Sequence, residues 1–256
     1  MIKSLIPTHI RHKIKCIIHS GKKFECPICG YKSRDFYPIG IDLPVLKEKQ
    51  VVGAGLRKAG CYSCKSSDRE RLVYIYLVNK LNILSQLKDY KILHIAPEKN
   101  ISEKLIKCNF ENYICGDLHT EGYIYPNYVK NINVTDIPFE DNYFDLIICN
   151  HVLEHVPNDI LAMEELFRVL KKNGRAILQV PISVNSENTF EDDSDYNPQE
   201  REVLFGQFDH VRIYGKDYSQ RLKSVGFSVI QENISEEFYK YGIARNENIF
   251  IGAKSY

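Results

Sequence analysis

Two short cysteine pairs are the first residues in this chain whose types and spacing imply chemistry. Cys26 and Cys29 stand in "CPICG", and Cys61 and Cys64 in "CYSCKS". Each pair can present two thiolates from one tight turn, and two such turns supply the four sulfurs of a structural, tetrahedral zinc site. The 31 residues between the pairs exceed the usual ~15 to 20, but a longer loop adds little closure entropy. The alternative is two unrelated surface pairs. Cys16, Cys108, Cys115 and Cys149 lie in apolar contexts that suit core positions.

A second set of candidates is histidine-based. "HVLEH", His151 to His155, matches H-x-x-E-H, an inverted zinc-protease signature. That chemistry needs both histidines on one face of a sustained helix, whereas His151 follows a strand and Val156-Pro157 interrupts any helix after about one turn. The protease reading is therefore set aside, and His155 is expected to be a structural histidine satisfied by a backbone carbonyl. His151, and second to it His210 in "FDHVRIYG", remain candidate catalytic bases, because imidazole titrates in the useful range. Arg212 and Tyr214 in the same stretch could hold an anionic or hydroxylated acceptor, the alternative being a packing motif that leads into a helix.

These residues need elements to position them, and the hydrophobic pattern supplies an α/β order. Strands are expected at Lys91 to Ala96, Asn112 to Gly116, Asn131 to Val134, Phe144 to Asn150 and Gly174 to Val180. Further strands are expected near Phe227 to Gln231 and Asn248 to Ile251. Helical patterns alternate with them: Ile101 to Cys108, capped by Asn100 or Ser102; the stretch "PNDILAMEELFRVLKKNG", with Ile160, Met163, Phe167 and Leu170 on one apolar face, Lys171 and Lys172 in its last turn and Gly174 as its stop; and Asp217 to Val225. The alternation predicts a parallel sheet covered on both faces. Ser66 or Ser67 caps a helix joining the cysteine module to this domain, so the boundary falls near residue 66. The polar stretch 183–206 carries seven acids (Glu187, Glu191, Asp192, Asp193, Asp195, Glu200, Glu202) and is expected over the crevice at the strand ends, as a lid or a solvated loop.

"KILHIAPEKNIS", residues 91 to 102, reads as a nucleotide-binding strand, turn and helix without its glycines. Asp117 ends the second strand, where a Rossmann-type fold keeps an acid for ribose hydroxyls, and Asp136 follows the third in "VTDIPF". "VTDIPFEDNYFDLIICNHVLEHVPNDILAMEELFRVLKKNGRAILQVP" resembles the central block of class I S-adenosylmethionine-dependent methyltransferases. More narrowly, the chain from about residue 24 onward is similar to a bacterial branch of that family, with an N-terminal cysteine module and an "LHxAPE" first motif, associated with surface-polysaccharide synthesis. The resemblance implies a Rossmann-like methyltransferase sheet over 67–256 and a zinc-ribbon-like module over 1–66. It implies that His94, Ala96, Pro97 and Glu98 meet the methionine end of the cofactor, Glu98 facing its amino group. Asp117 with Leu118 would bind ribose, Asp136 with Ile137 adenine, and Asn150 with His151 the region of the transferring methyl.

Composition bounds what remains. Residues 1–66 hold 13 lysines and arginines against 4 acids, while the whole chain is +1, so the head is basic and the remainder acidic. A basic head suits an anionic partner. No apolar run approaches the ~18 to 20 residues that cross a bilayer, and with reduced thiols a cytoplasmic protein is expected. The function expected is methyl transfer from S-adenosylmethionine to a saccharide or anionic small-molecule acceptor, with oxygen of a sugar or sugar-linked group (a phosphoramidate or phosphate substituent included) favoured. An RNA methyltransferase with a zinc module and a non-catalytic cofactor-binding or scaffold protein are the alternatives.

Overall fold

Short strands and tight turns build residues 19–66, because four cysteines rather than a large apolar core organise them. The computed structural model describes residues 7–85, 90–108, 112–192 and 194–255. Helix α1 (Thr8–Ile18) leads into the antiparallel pair β1 (Ser20–Glu25) and β2 (Lys32–Ser33). β3 (Tyr37–Ile39) pairs antiparallel with β5 (Arg57–Gly60), and α2 (Pro44–Glu48) and β4 (Val51–Val52) lie between them. Helix α3 (Asp68–Ile75) then starts at Ser67, whose side chain accepts from Glu70 N–H while the Glu70 carboxylate accepts from Ser67 N–H. This reciprocal cap satisfies two backbone donors that the first helical turn leaves open, and the helix runs on into a π-turn at Tyr76–Lys80.

The second body is a seven-stranded sheet. Its strands in chain order are β6 (Ile92–Ile95), β7 (Tyr113–Asp117), β8 (Val129–Asn131), β9 (Phe144–Asn150), β10 (Leu170–Gln179), β14 (Ser228–Glu232) and β15 (Ile249–Ala253). The spatial order is β8-β7-β6-β9-β10-β15-β14; the first five are parallel, and β15 runs antiparallel to both β10 and β14. Numbered within the sheet this is 3-2-1-4-5-7-6, a Rossmann-like sheet whose order reverses between β6 and β9. Helices α4 (Lys99–Lys107), α5 (Asp159–Val169) and α7 (Tyr218–Ser224) cover it.

Period-two alternation along β9 sorts its side chains between two cores. Leu146 and Ile148 join Ile75, Ile101, Leu105, Ile177 and Ile251 on one face. Ile147 and Cys149 join Met163, Leu166, Leu178, Tyr218 and Leu222 on the other. Burial on both faces is why "FDLIIC" is nearly continuous in apolar residues.

Three local expectations change. Helix α5 ends at Val169, because Leu170 is already extended (ψ 132) and starts β10, so Lys171 and Lys172 are strand residues and Lys171 Nζ pairs with Asp145 at 2.8 Å. Gly174 serves close approach instead of stopping a helix: a Cβ there would stand 2.8 Å from Leu170 Cδ1 and Lys171 O. Helix α4 has Glu98 at its N-cap with no side-chain cap bond, and Asn100 donates to Glu70 instead.

The polar insertion is ordered where described, Asp193 lying outside the described residues. β11 (Ile182–Ser183) pairs antiparallel with β4 of the head, β12 (Phe190–Glu191) pairs with β13 (Arg212–Ile213), and helix α6 (Pro198–Phe205) has an Asn197–Glu200 capping box. Ser183 Oγ donates to Lys49 O at 2.6 Å and Asn185 to Glu48 O at 2.7 Å, so the insertion ties the cysteine module to the sheet. No helix among the described residues is long and apolar enough to cross a membrane.

Candidate functional site

The four cysteines converge. Each pair forms the same turn: Gly30 N–H donates to Cys26 O and Lys65 N–H to Cys61 O, and both residues after the second cysteine have positive φ (73 and 69). Cys26 N–H and Cys61 N–H close the turns onto Tyr31 O and Ser66 O, each at 2.9 Å. Cys26 Sγ lies 3.7 Å from Cys64 Sγ, and Cys29 Sγ 3.8 Å from Cys61 Sγ. A tetrahedron with zinc–sulfur bonds of ~2.3 Å has edges of about 3.8 Å. The donor set and its spacing therefore fit one zinc ion with no position left for a substrate.

At the mouth of β6 the absent glycines find their answer. Ala96 adopts φ +47, the left-handed conformation that glycine usually supplies, with its N–H fixed on Gly116 O at 2.8 Å. The next turn directs Glu98 back across the strand ends. Its Oε2 lies 2.7 Å from His94 Nε2, and its Oε1 accepts from Asn150 Nδ2 at 3.0 Å. Burial pushes the Glu98 carboxyl up, but His94 and Asn150 outweigh it and hold the group below its usual range. Tyr113 Oη fixes the other nitrogen of the fully buried His94 ring at 2.8 Å. His94, Glu98 and Asn150 thus form one network spanning β6 and β9 at the topological switch point, where open α/β sheets bind ligands.

Asp117 ends β7, and burial raises its carboxyl above the usual range. With Pro97, Lys99 and Tyr128 it lines a cleft of about 410 Å³. Leu118 beside it is 54% exposed. Asp136 is exposed at the next turn, while the Ile137 side chain is buried and its N–H donates to Glu165 at 2.8 Å. The structure groups Pro97 with Asp117, and His94 with Glu98 and Asn150.

A second cavity, of about 240 Å³, lies at the mouth of β9 and is walled on one side by the head. His151, Glu154, His155, His210 and Arg69 face it, with Leu46 and Ala54 opposite. His151 also has a left-handed backbone (φ 53), held by its N–H on Gln179 O at 2.7 Å. Its Nδ1 is 3.2 Å from Glu154 Oε1, while Nε2 is buried without a partner. Burial, aided by the Arg69 charge, lowers the His151 pKa and outweighs Glu154. The reverse holds for Glu154: burial raises its carboxyl, but His151 and two further histidines bring it down to about 2. Such a pair is a neutral imidazole oriented by a carboxylate, with one ring nitrogen left to accept a proton. Asn150 Oδ1, Glu154 Oε2 and both oxygens of Glu247 are also buried without partners among the described residues. Gln179 donates to Asn248 O and also acts on the Glu247 carboxyl, lowering its pKa against the effect of burial.

His210 sits beside His155, their rings 4.6 Å apart and edge to face, and burial lowers its pKa to about 4. His155 Nδ1 pairs with the Asp209 carboxylate at 3.2 Å, and the Asp209 backbone carbonyl also acts on the ring, as expected of a structural histidine. "HVLEH" forms only a 3-10 turn, Leu153–His155, which a helical zinc-protease site cannot use.

Arg212 and Tyr214 have spent the groups expected to hold an acceptor. The Arg212 guanidinium, 4% exposed, donates to Glu191, Leu153 O, Val156 O and Pro157 O. Tyr214 is fully buried and donates to Asp159 at 2.7 Å. Both bolt the 153–159 segment in place, which positions His151 and Glu154. The packing alternative therefore describes them. Sequence reasoning missed Arg69, Glu154 and Glu247; a periodic reading gives no signal for Arg69 and Glu247, while the three-residue spacing to His151 could have found Glu154.

Residues 99–178 match the family model described as a methyltransferase domain. An uncharacterized protein of Methanocaldococcus jannaschii is 41% identical over 102 residues, covering 40% of this chain and 38% of that protein. A demethylmenaquinone methyltransferase of Listeria monocytogenes is 26% identical over 167 residues, 62% of each chain. This chain therefore spans less than two thirds of the curated relatives it matches. A solved SAM dependent methyltransferase from Archaeoglobus fulgidus aligns over 73% of this chain and 94% of its own at 14% identity, with a TM-score of 0.46. Residues 99–178 are thus similar to a methyltransferase domain, and the strand order 3-2-1-4-5-7-6 read from the chain itself is that of a Rossmann-like sheet.

Proposed function

We propose that this protein transfers a methyl group from S-adenosylmethionine to an oxygen of a polar small molecule bound between the sheet and the cysteine module. The residues fit that donor. Ala96 lets backbone approach closely, Glu98 stays ionised to meet a cationic amino group, Asn150 Oδ1 is buried and unpartnered, and Asp117 offers a carboxylate to a diol. When bound, the donor supplies a methyl already activated on a sulfonium, so the protein's main task is alignment. The acceptor oxygen replaces sulfur on that methyl, and a hydroxyl acceptor must release its proton.

The observation that carries the reading is His151 Nε2, buried and free of any partner in a cavity beside the donor site, with Nδ1 held by Glu154. His151 would take the proton. Arg69, whose guanidinium has no ion-pair partner among the described residues, supports an anionic or hydroxylated acceptor such as a sugar phosphate. The resemblance names sugar or sugar-linked groups of surface-polysaccharide precursors as members of that class. A second reading, carbon methylation of a quinone ring, is favoured by the Listeria relative's activity. The polar walls of a 240 Å³ cavity support the first.

Calorimetry and a labelled-donor screen test this. S-adenosylmethionine should bind, and Asp117→Ala should weaken it by about 1 to 3 kcal/mol. Turnover should be found among nucleotide sugars and sugar phosphates, and His151→Ala should cut it by about 10²- to 10⁴-fold with donor affinity nearly unchanged. Turnover on demethylated quinones alone would transfer the assignment to the second reading.

A further inference from the structure

The acceptor cavity contains a cluster of which methyl transfer to a hydroxyl uses only one oxygen of Glu154. Glu154, His155 and His210 each offer one ligand atom, and these atoms lie within 4.8 Å of one another. Glu154 is 1% exposed and His210 6%. Glu154 Oε2 is buried with no hydrogen-bond partner, while Oε1 is occupied by His151. A buried carboxylate oxygen left bare is costly unless something charged or donating meets it.

The surroundings are those of ligands held in place. His155 Nδ1 faces the Asp209 carboxylate and His210 Nδ1 the Phe205 carbonyl at 3.3 Å, which leaves Nε2 of each ring to coordinate. Metal-bound histidines almost always pair their second nitrogen with a carboxylate or a backbone carbonyl in this way. The backbone is fixed as well: Val211 N–H donates to Glu154 O at 3.0 Å, and Arg212 binds the carbonyls of Leu153, Val156 and Pro157. Two chain segments more than fifty residues apart are thereby locked with their ligand atoms facing one point.

We propose that Glu154, His155 and His210 bind one divalent first-row metal ion, distinct from the four-cysteine site, with an open position toward the acceptor cavity. Two neutral imidazoles and one carboxylate leave a tetrahedral ion one free position, the pattern of zinc sites that bind water or substrate. Arg69 lines the same cavity, so an anionic acceptor oxygen would meet a cation on one side and a guanidinium on the other. The binding site stands on its own residues; its use in acceptor binding rests on the methyl-transfer reading.

Zinc itself is the probe. Wild-type protein saturated with zinc and freed of loosely bound ion should carry about two equivalents, and Glu154→Gln and His155→Gln about one. Cobalt substitution tells the sites apart, since thiolate-to-cobalt absorption in the near ultraviolet reports the cysteine site alone. That band should be undiminished in both variants, which also shows their heads to be folded. A wild type that stops at one equivalent with the cysteine band fully developed overturns the proposal, and so do variants that retain both ions. Because metals are counted without donor or acceptor, two ions without methyl transfer would sink only the activity reading. One ion with full turnover would sink only this site.

Discussion

Glu247 shows how a single residue records the purpose of its surroundings. It is 4% exposed, and among the described residues neither carboxylate oxygen has a hydrogen-bond partner. Burial raises its pKa from 4.5 to about 7, with Asp68 adding to the effect and Arg69 and Arg57 opposing it. A carboxyl with a raised folded pKa binds more protons folded than unfolded between these values, so its stability contribution is present below pH 4.5 and lost as pH rises toward 7. At ~1.36 kcal/mol per pH unit the loss is about 3 kcal/mol. Glu247→Gln should match wild type in urea unfolding at pH 4 and exceed it by about that amount at pH 8. Parallel curves across the range would show the carboxyl to be solvated. The residue scale was partly legible in the sequence: Asp117, Asn150 and His151 all fall at strand mouths, because a strand's end marks its crevice. Glu247 was not legible, since the charges that act on it, Asp68, Arg69 and Arg57, lie far away in the chain.

Elements were legible wherever one period dominated. The β9 boundaries, Phe144–Asn150, coincide with its apolar run, and the Ser67 cap follows from Ser and Glu at capping-box spacing. They were less legible at the α5–β10 junction, where Leu170 joins the ladder opposite Phe144 and tertiary pairing overrides a helical pattern. Within the 210–214 stretch, "HVRIY" left acceptor binding and packing open for Arg212, because only the fold reveals three backbone carbonyls awaiting a guanidinium. Arg212→Met should therefore cost about 3 to 5 kcal/mol, the penalty of breaking a buried ion pair from one side. Thermal unfolding should show a fall of roughly 10 °C at ~2 to 4 °C per kcal/mol for a chain of this size. A shift under ~2 °C would mean that Arg221, which also holds Asp159 at 2.7 Å, suffices alone.

For the whole molecule, the head and the sheet share a wall. Residues of the 40–55 stretch line the cavity opposite His151, and β4 pairs with β11 across the junction. Removing the head's metal should therefore reach the acceptor side without touching the adenosine side. Cys29→Ser should lose one zinc per chain and at least ~4 kcal/mol of head stability, and should abolish turnover while S-adenosylmethionine binding persists. Loss of donor binding as well would show the two bodies to unfold as one. The charge contrast between basic head and acidic remainder was the sequence's nearest hint of this junction, since composition marks a boundary but not which surfaces meet there.

That shared wall separates two kinds of choice along the chain. In the proposed reading, recognition of the donor lies on the strand ends from residue 94 to 150, whereas the ceiling of the second cavity is contributed by a loop between the two cysteine turns that pairs with the sheet side through a ladder two residues long. Exposed positions of that loop, such as Ile41, would then be where changes alter what fits beneath it without touching the strand ends. A lineage could thus diversify its substrates by drifting through residues 40 to 55 alone, with the cysteine turns on either side acting as fixed hinges for a replaceable roof.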